Sequence, residues 1–126
     1  MLTRFTVFAF VVSAASVVFA QSGKPLTNEQ LVQLTQNGIT LKLGGEGEGY
    51  IGSLKLSKNG EGNGSATTDA GEKISIIGTW RIKDGKFCPT WKDLNDGEEV
   101  CETWYLTSGN SVEVYLGKER IGVNSW

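Results

Sequence analysis

EKISIIGTWRIKDGKFCPTW, residues 72–91, is the stretch on which the fold turns. Ile74, Ile76, Trp80 and Ile82 share one side of an alternating run. That two-residue period belongs to a strand with one buried face. Asp84-Gly85 follows. Both positions of a type I′ hairpin turn need φ > 0, and Asp-Gly meets that need. A two-residue turn here pairs Ile82 with Phe87 and sends both side chains to the core. Pro89 has no amide hydrogen to offer a neighbouring strand, so it is expected to end or bend the second strand.

The same period extends in both directions. Upstream, Ile39, Leu41 and Leu43 alternate with Thr40 and Lys42. GGEGEG (44–49) reads as a turn or a strained crossing, and Tyr50–Leu56 as a strand interrupted by Gly52. Lys58-Asn59-Gly60 turns; Ser65–Thr68, small and polar, is expected to be a weak edge strand or a strongly bent one. Downstream, Val100, Glu102, Trp104 and Leu106 alternate against Cys101, Thr103 and Tyr105. Val112, Val114 and Leu116 then oppose Glu113 and Tyr115, and Gly117-Lys118-Glu119 leads into Arg120–Asn124. Short strands joined by short loops, without intervening helices, exclude βαβ units. The fold class is mainly β: an antiparallel meander closing into a small barrel or half-open sandwich. Such a barrel holds side chains or one small ligand.

One short helix precedes the strands. In PLTNEQLVQLTQNG, Thr27 and Gln30 have capping-box spacing, Leu31 and Leu34 share a face, Leu26 sits beneath them, and Gly38 is the stop. A helix over about residues 28–36 with so few apolar residues must pack on something, here across an open end of the sheet.

The first twenty residues carry Arg4, an apolar run from Phe5 to Val18 and Val18-Phe19-Ala20 before a polar segment. That is the pattern of a secretory signal peptide cleaved after Ala20. It leaves residues 21–126 as a single β domain, with no later segment apolar enough to span a membrane. Twelve Lys and Arg against fourteen Asp and Glu give a net charge of −2, interspersed along the chain, so no nucleic-acid partner is expected. A monomer is expected.

Both cysteines lie in KFCPTWKDLNDGEEVCETW (86–104). An even count in an exported chain argues for a disulfide between Cys88 and Cys101. It closes a loop of about fourteen residues, which the chain-entropy model values at about 3 kcal/mol. The spacing is too long for a redox pair, and two Cys without any His are too few for zinc. Asp93, Asn95, Asp96, Glu98 and Glu99 offer oxygens to calcium, but the sixth position from Asp93 is Glu98, not Gly, and the twelfth is Trp104. No metal and no cofactor is expected. Trp80 and Trp104 fall on inward positions; Trp91, after a proline and before the charged loop, is the best candidate for an exposed ring. Trp91, Asp93, Asp96, Glu98 and Glu99 form the candidate contact surface, held by the bridge. No catalytic residues are assigned: His is absent, and the acids sit in turns where solvated charge is the default.

Gly78, Trp80, Asp84, Gly85, Cys88, Trp91 and Cys101 together, preceded by KNGEGNG, resemble a family of small exported proteins of rhizobia-type alphaproteobacteria, of unassigned function, with a G-x-W…D-G…C…W…C core. The resemblance covers about residues 27–116. It implies a periplasmic or secreted β domain and brings no catalytic residues. More loosely, a meander with a leading helix is similar to lipocalin-like and avidin-like barrels, at the level of fold alone.

Two functions are expected from these features. The first is a periplasmic or secreted non-enzymatic binding module for a small ligand or an envelope component. The second is a protein-interaction module, such as a small inhibitor of a host hydrolase, using the stapled acidic loop. A cavity of a few hundred Å³ favours the first; a solid interior beneath a projecting loop favours the second.

Overall fold

The structure, a computed structural model, describes residues 24–126; the expected leader over residues 1–20 lies outside the described residues. The helix is α1 (Asn28–Thr35). Thr27 Oγ1 accepts the Gln30 amide at 3.1 Å, and Gln30 Oε1 accepts the Thr27 amide at 2.9 Å, so the capping box is present. Gly38 takes φ +79° and returns its amide to the Thr35 carbonyl.

Eight strands follow: β1 (Ile39–Gly45), β2 (Tyr50–Leu56), β3 (Glu61–Thr68), β4 (Lys73–Lys83), β5 (Lys86–Trp91), β6 (Thr103–Ser108), β7 (Ser111–Leu116) and β8 (Glu119–Ser125). They form one antiparallel sheet in the order β5-β4-β3-β2-β1-β8-β7-β6. The sheet curls into a half-barrel because β8 returns to pair with β1 through Lys42–Ser125 and Leu43–Asn124. The β4–β5 hairpin has the expected register, Ile82 with Phe87, around Asp84 (φ 53°) and Gly85 (φ 78°).

Two strand expectations are corrected. The segment around Ser65–Thr68 is not an edge: β3 runs from Glu61 to Thr68 between β2 and β4. Its small residues suit a crowded interior position, since a side chain at Gly64 would run into the Ser53 carbonyl of β2. Pro89 does not end its strand either. It is buried, pairs with Trp80, and β5 continues to Trp91.

The reason Pro89 is tolerated lies at the edges of the sheet. β5 meets the residues leading into β6 through bridges at Phe87–Glu102 and Thr90–Glu99. One register therefore places Cys88 opposite Cys101 and Pro89 opposite Val100. Phe87 and Glu102 exchange both amide hydrogen bonds, at 3.0 and 2.7 Å. Hydrogen-bonded pairs alternate along an antiparallel ladder, so Pro89 and Val100 should form the next one. Val100 does donate to the Pro89 carbonyl, at 3.1 Å, but proline cannot answer. The ladder thus loses one bond, and the Cys88–Cys101 disulfide joins the strands one residue away. Arg81 adds a bidentate ion pair to Glu99 across the same seam, at 2.7 and 2.8 Å.

The core fills one half of the barrel. Leu31, Leu41, Leu56, Trp104 and Val112 are fully buried. Phe87 lies between Trp80 and Trp104, with ring centroids 6.0 and 5.0 Å away. Helix α1 packs on β4 and β5 over this end. The Leu26 amide donates to the Trp104 carbonyl at 2.8 Å, and the Gly85 amide to Asn28 Oδ1 at 2.8 Å.

Replacing both cysteines, Cys88→Ala with Cys101→Ala, is expected to lower stability by about 3 kcal/mol in urea unfolding. An unchanged midpoint would show that the seam holds without the bridge.

Candidate functional site

The barrel has two unlike ends. One carries α1, the Asp84-Gly85 turn and the turn between β6 and β7. The other carries the β1–β2, β3–β4 and β7–β8 turns and the loop from Lys92 to Glu102. The interior of this second half is not filled. A cavity of about 250 Å³ opens there, walled by Leu43, Tyr50, Leu54, Ala66, Ile74, Ile76, Phe87, Trp91, Leu94, Glu102, Val114, Ile121, Gly122 and Asn124. Two larger depressions of about 530 Å³ involve outward residues such as Lys55, Asn63 and Lys58, and lie on the outer face.

One wall of this space is a small inward residue, Ala66 of β3. Gly52 and Gly64 share the inward phase of β2 and β3, but a side chain at either would strike the backbone of the neighbouring strand, so they serve close strand packing. Gly62 gives up its volume to Trp91: an added Cβ would stand 2.7 Å from the indole. Gly44 and Gly122 do the same for Tyr50, whose ring and hydroxyl occupy the places of their missing side chains. The Tyr50 hydroxyl accepts the Val123 amide at 3.3 Å. This fixes the ring at the wall.

Trp91 is therefore not the exposed ring its neighbours suggest. It is 7 % exposed and faces inward, because β5 continues through Pro89 and keeps Phe87, Pro89 and Trp91 on the core side. The loop beyond it also differs from a free acidic surface. Leu94 turns in, packs against the core and walls the cavity. A 3₁₀ turn over Asn95–Gly97, with Asn95, Asp96 and Gly97 at positive φ, reverses the chain above it. Glu99 is bound to Arg81, which lowers its pKa chiefly through the hydrogen bonds of that pair. Asp93, Asp96 and Glu98 stay exposed. Among the described residues no group of three or more cysteines and acids is arranged to hold a metal ion.

The residue that reading by residue type overlooks is Glu102. Its alternation with Trp104 and Leu106 puts it on the inward face, and the bridge to Phe87 fixes it there. Trp104 Nε1 donates to Glu102 Oε1 at 3.1 Å. Oε2 has no hydrogen-bond partner among the described residues, yet no buried side-chain oxygen there is stranded, so Oε2 keeps its access to the cavity. Burial pushes the Glu102 carboxyl up to about 7, against the opposing pull of the Trp104 donor. Asn124 is the second polar wall residue. It is buried, it opposes Leu43 and Val112 in register, and its carboxamide has no partner among the described residues. An acid on the apolar phase of a strand was the available signal for Glu102; Asn124 follows Gly122 on β8, where the phase gives no comparable sign.

At the mouth, Arg120 clamps the β1–β2 turn to β7 and β8. It contacts Glu48 at 3.0 and 3.1 Å and Glu113 at 2.8 Å. Ile121 beside it is 44 % exposed while also walling the cavity, which marks the rim.

Glu102 makes stability depend on pH in a defined direction. A raised folded pKa means its stabilising contribution is complete below the ordinary value of 4.5 and is lost as pH rises through about 7. Urea unfolding across that window should show the wild type losing up to about 3 kcal/mol relative to Glu102→Gln. Parallel curves for the two proteins would contradict a buried, titrating carboxyl. Set against family models, curated proteins and solved structures, the chain matches none of them, so its function has to be read from the cavity itself.

Proposed function

We propose that this chain is an exported, non-enzymatic binding module that takes one compact, mainly apolar molecule into the open end of its barrel. The observation that carries this reading is the cavity of about 250 Å³, walled mostly by aliphatic and aromatic side chains with a few polar groups. Its volume corresponds to about eight waters, which suits a small aromatic or branched molecule. Apolar walls with a few placed polar groups are the usual composition of a small-molecule site.

Chemistry on the ligand has little support. The walls contain no Ser, Thr, Cys, Lys or Arg, so no second charge accompanies Glu102, and the one wall hydroxyl, Tyr50, is engaged with the Val123 amide. Export is supported by the leader-like first twenty residues and by the disulfide. Among the described residues no helix is long and apolar enough to cross a membrane. The interaction-module reading is weakened by the loop itself: Glu99 is committed to Arg81 and Leu94 to the cavity, which leaves Asp93, Asp96 and Glu98 as its free acids.

Titration with phenol, followed by amide and indole NMR signals, should shift Trp91 and the other wall residues, and the Trp104 indole through its bond to Glu102, and leave the outer face unmoved. Ala66→Leu fills the cavity from a buried wall position and should abolish the shifts. Leu94→Ala removes one wall side chain at the rim and leaves the rest of the cavity, and should quicken exchange. If all three proteins respond alike, the cavity is not the binding site.

A further inference from the structure

The cavity's polar groups are not neutral toward ligand chemistry. This inference rests on the cavity being the ligand site, and it concerns the class of molecule that enters. We infer that the ligand is a primary or secondary amine on a compact apolar or aromatic body, bound as the ammonium with an N–H on Glu102 Oε2.

Four observations converge on this class. First, Glu102 Oε2 and the Asn124 carboxamide both wall the cavity, and neither is used by another described residue. Trp104 already supplies a donor to Oε1, so the unmet need at Glu102 is for a donor on the other oxygen. Second, no Lys or Arg walls the cavity. A carboxylate or phosphate brought in would be buried without a counter-charge and beside an acid. Fatty acids and sugar phosphates are therefore poor fits. Third, Tyr50, Phe87 and Trp91 line the same space. Aromatic faces attract cations through their quadrupole and attract nothing comparable in an anion. Fourth, the Phe87 bridge fixes the Glu102 backbone and Trp104 Nε1 holds Oε1, so the side chain is anchored toward the cavity. A charged donor inside the cavity is what relieves its burial.

The proton balance is simple. The empty cavity at neutral pH holds Glu102 divided between acid and carboxylate. An ammonium entering requires the carboxylate, so whatever proton Glu102 carries passes to solvent; a neutral amine entering instead takes that proton itself. Both routes end in the same ion pair, with no bond to carbon made or broken. Tyr50 is the other titratable wall residue, and its hydroxyl already accepts the Val123 amide.

The test uses three probes of one shape and different charge: 2-phenylethylamine, 2-phenylethanol and phenylacetate, measured by calorimetry at pH 7.5 with wild type and Glu102→Gln. Hydrogen bonds to charged groups exceed neutral ones by enough for about a tenfold affinity difference. The amine should bind wild type at least about tenfold more tightly than the alcohol, and phenylacetate should bind most weakly. In Glu102→Gln the amine should lose that advantage while the alcohol keeps its affinity. Alcohol and amine binding equally to wild type would overturn the amine assignment and leave the cavity reading standing. An amine preference that survives Glu102→Gln would also overturn it. Binding of none of the three would overturn both.

Discussion

β5 and β6 are neighbours in sequence and stand at opposite ends of the sheet, so the barrel encloses nothing unless they meet. Their meeting is weak by ordinary strand standards. Only Phe87–Glu102 exchanges a full pair of hydrogen bonds, and Pro89 removes one from the next pair. The Cys88–Cys101 bridge sits between those two positions and holds the strands where the backbone alone holds them poorly. Everything that makes the interior distinctive depends on this seam. It turns Glu102 inward, keeps Trp91 on the core side, and anchors both ends of the loop that carries Leu94 to the rim.

The two halves of the barrel are built differently. At the helix end, large side chains fill the interior and α1 closes it; Trp104 and Leu31 are fully buried there. At the other end, the walls around Ala66 leave room. Dispersion contacts that a filled barrel would gain are forgone around that space. Glu102 adds a second departure from a purely stabilising design, since a carboxyl on an apolar wall is unfavourable while charged and unpaired. The void and the half-buried acid occur together, in the half that opens to solvent, and structural economy alone accounts for neither.

Much of this was legible from residue order. The Asp84-Gly85 turn, the Thr27–Gln30 capping box and the inward phases of β4, β6 and β7 rest on local geometry, so each could be read one segment at a time. Three readings failed for one shared reason. Ser65–Thr68 reads as an edge, Pro89 as a strand end and Trp91 as a surface ring when each is judged by its own neighbours. Their places are set by partners far along the chain: β2 and β4 around β3, Val100 opposite Pro89, and Gly62 beneath Trp91. The acidic loop belongs with them, because Arg81 and the cavity claim Glu99 and Leu94 from it.

The sequence by itself determined the meander, the register of the Asp84-Gly85 hairpin, the helix and the pairing of the two cysteines, since alternation, turn dihedrals and cysteine count act over short spans or by arithmetic. Only the tertiary structure decided that one half of the barrel keeps a void, and that Glu102 and Asn124 both wall it. Those outcomes depend on how far strands from opposite ends of the chain curl before they meet. Closure of a sheet is a property of all its strands at once, and no single stretch encodes it.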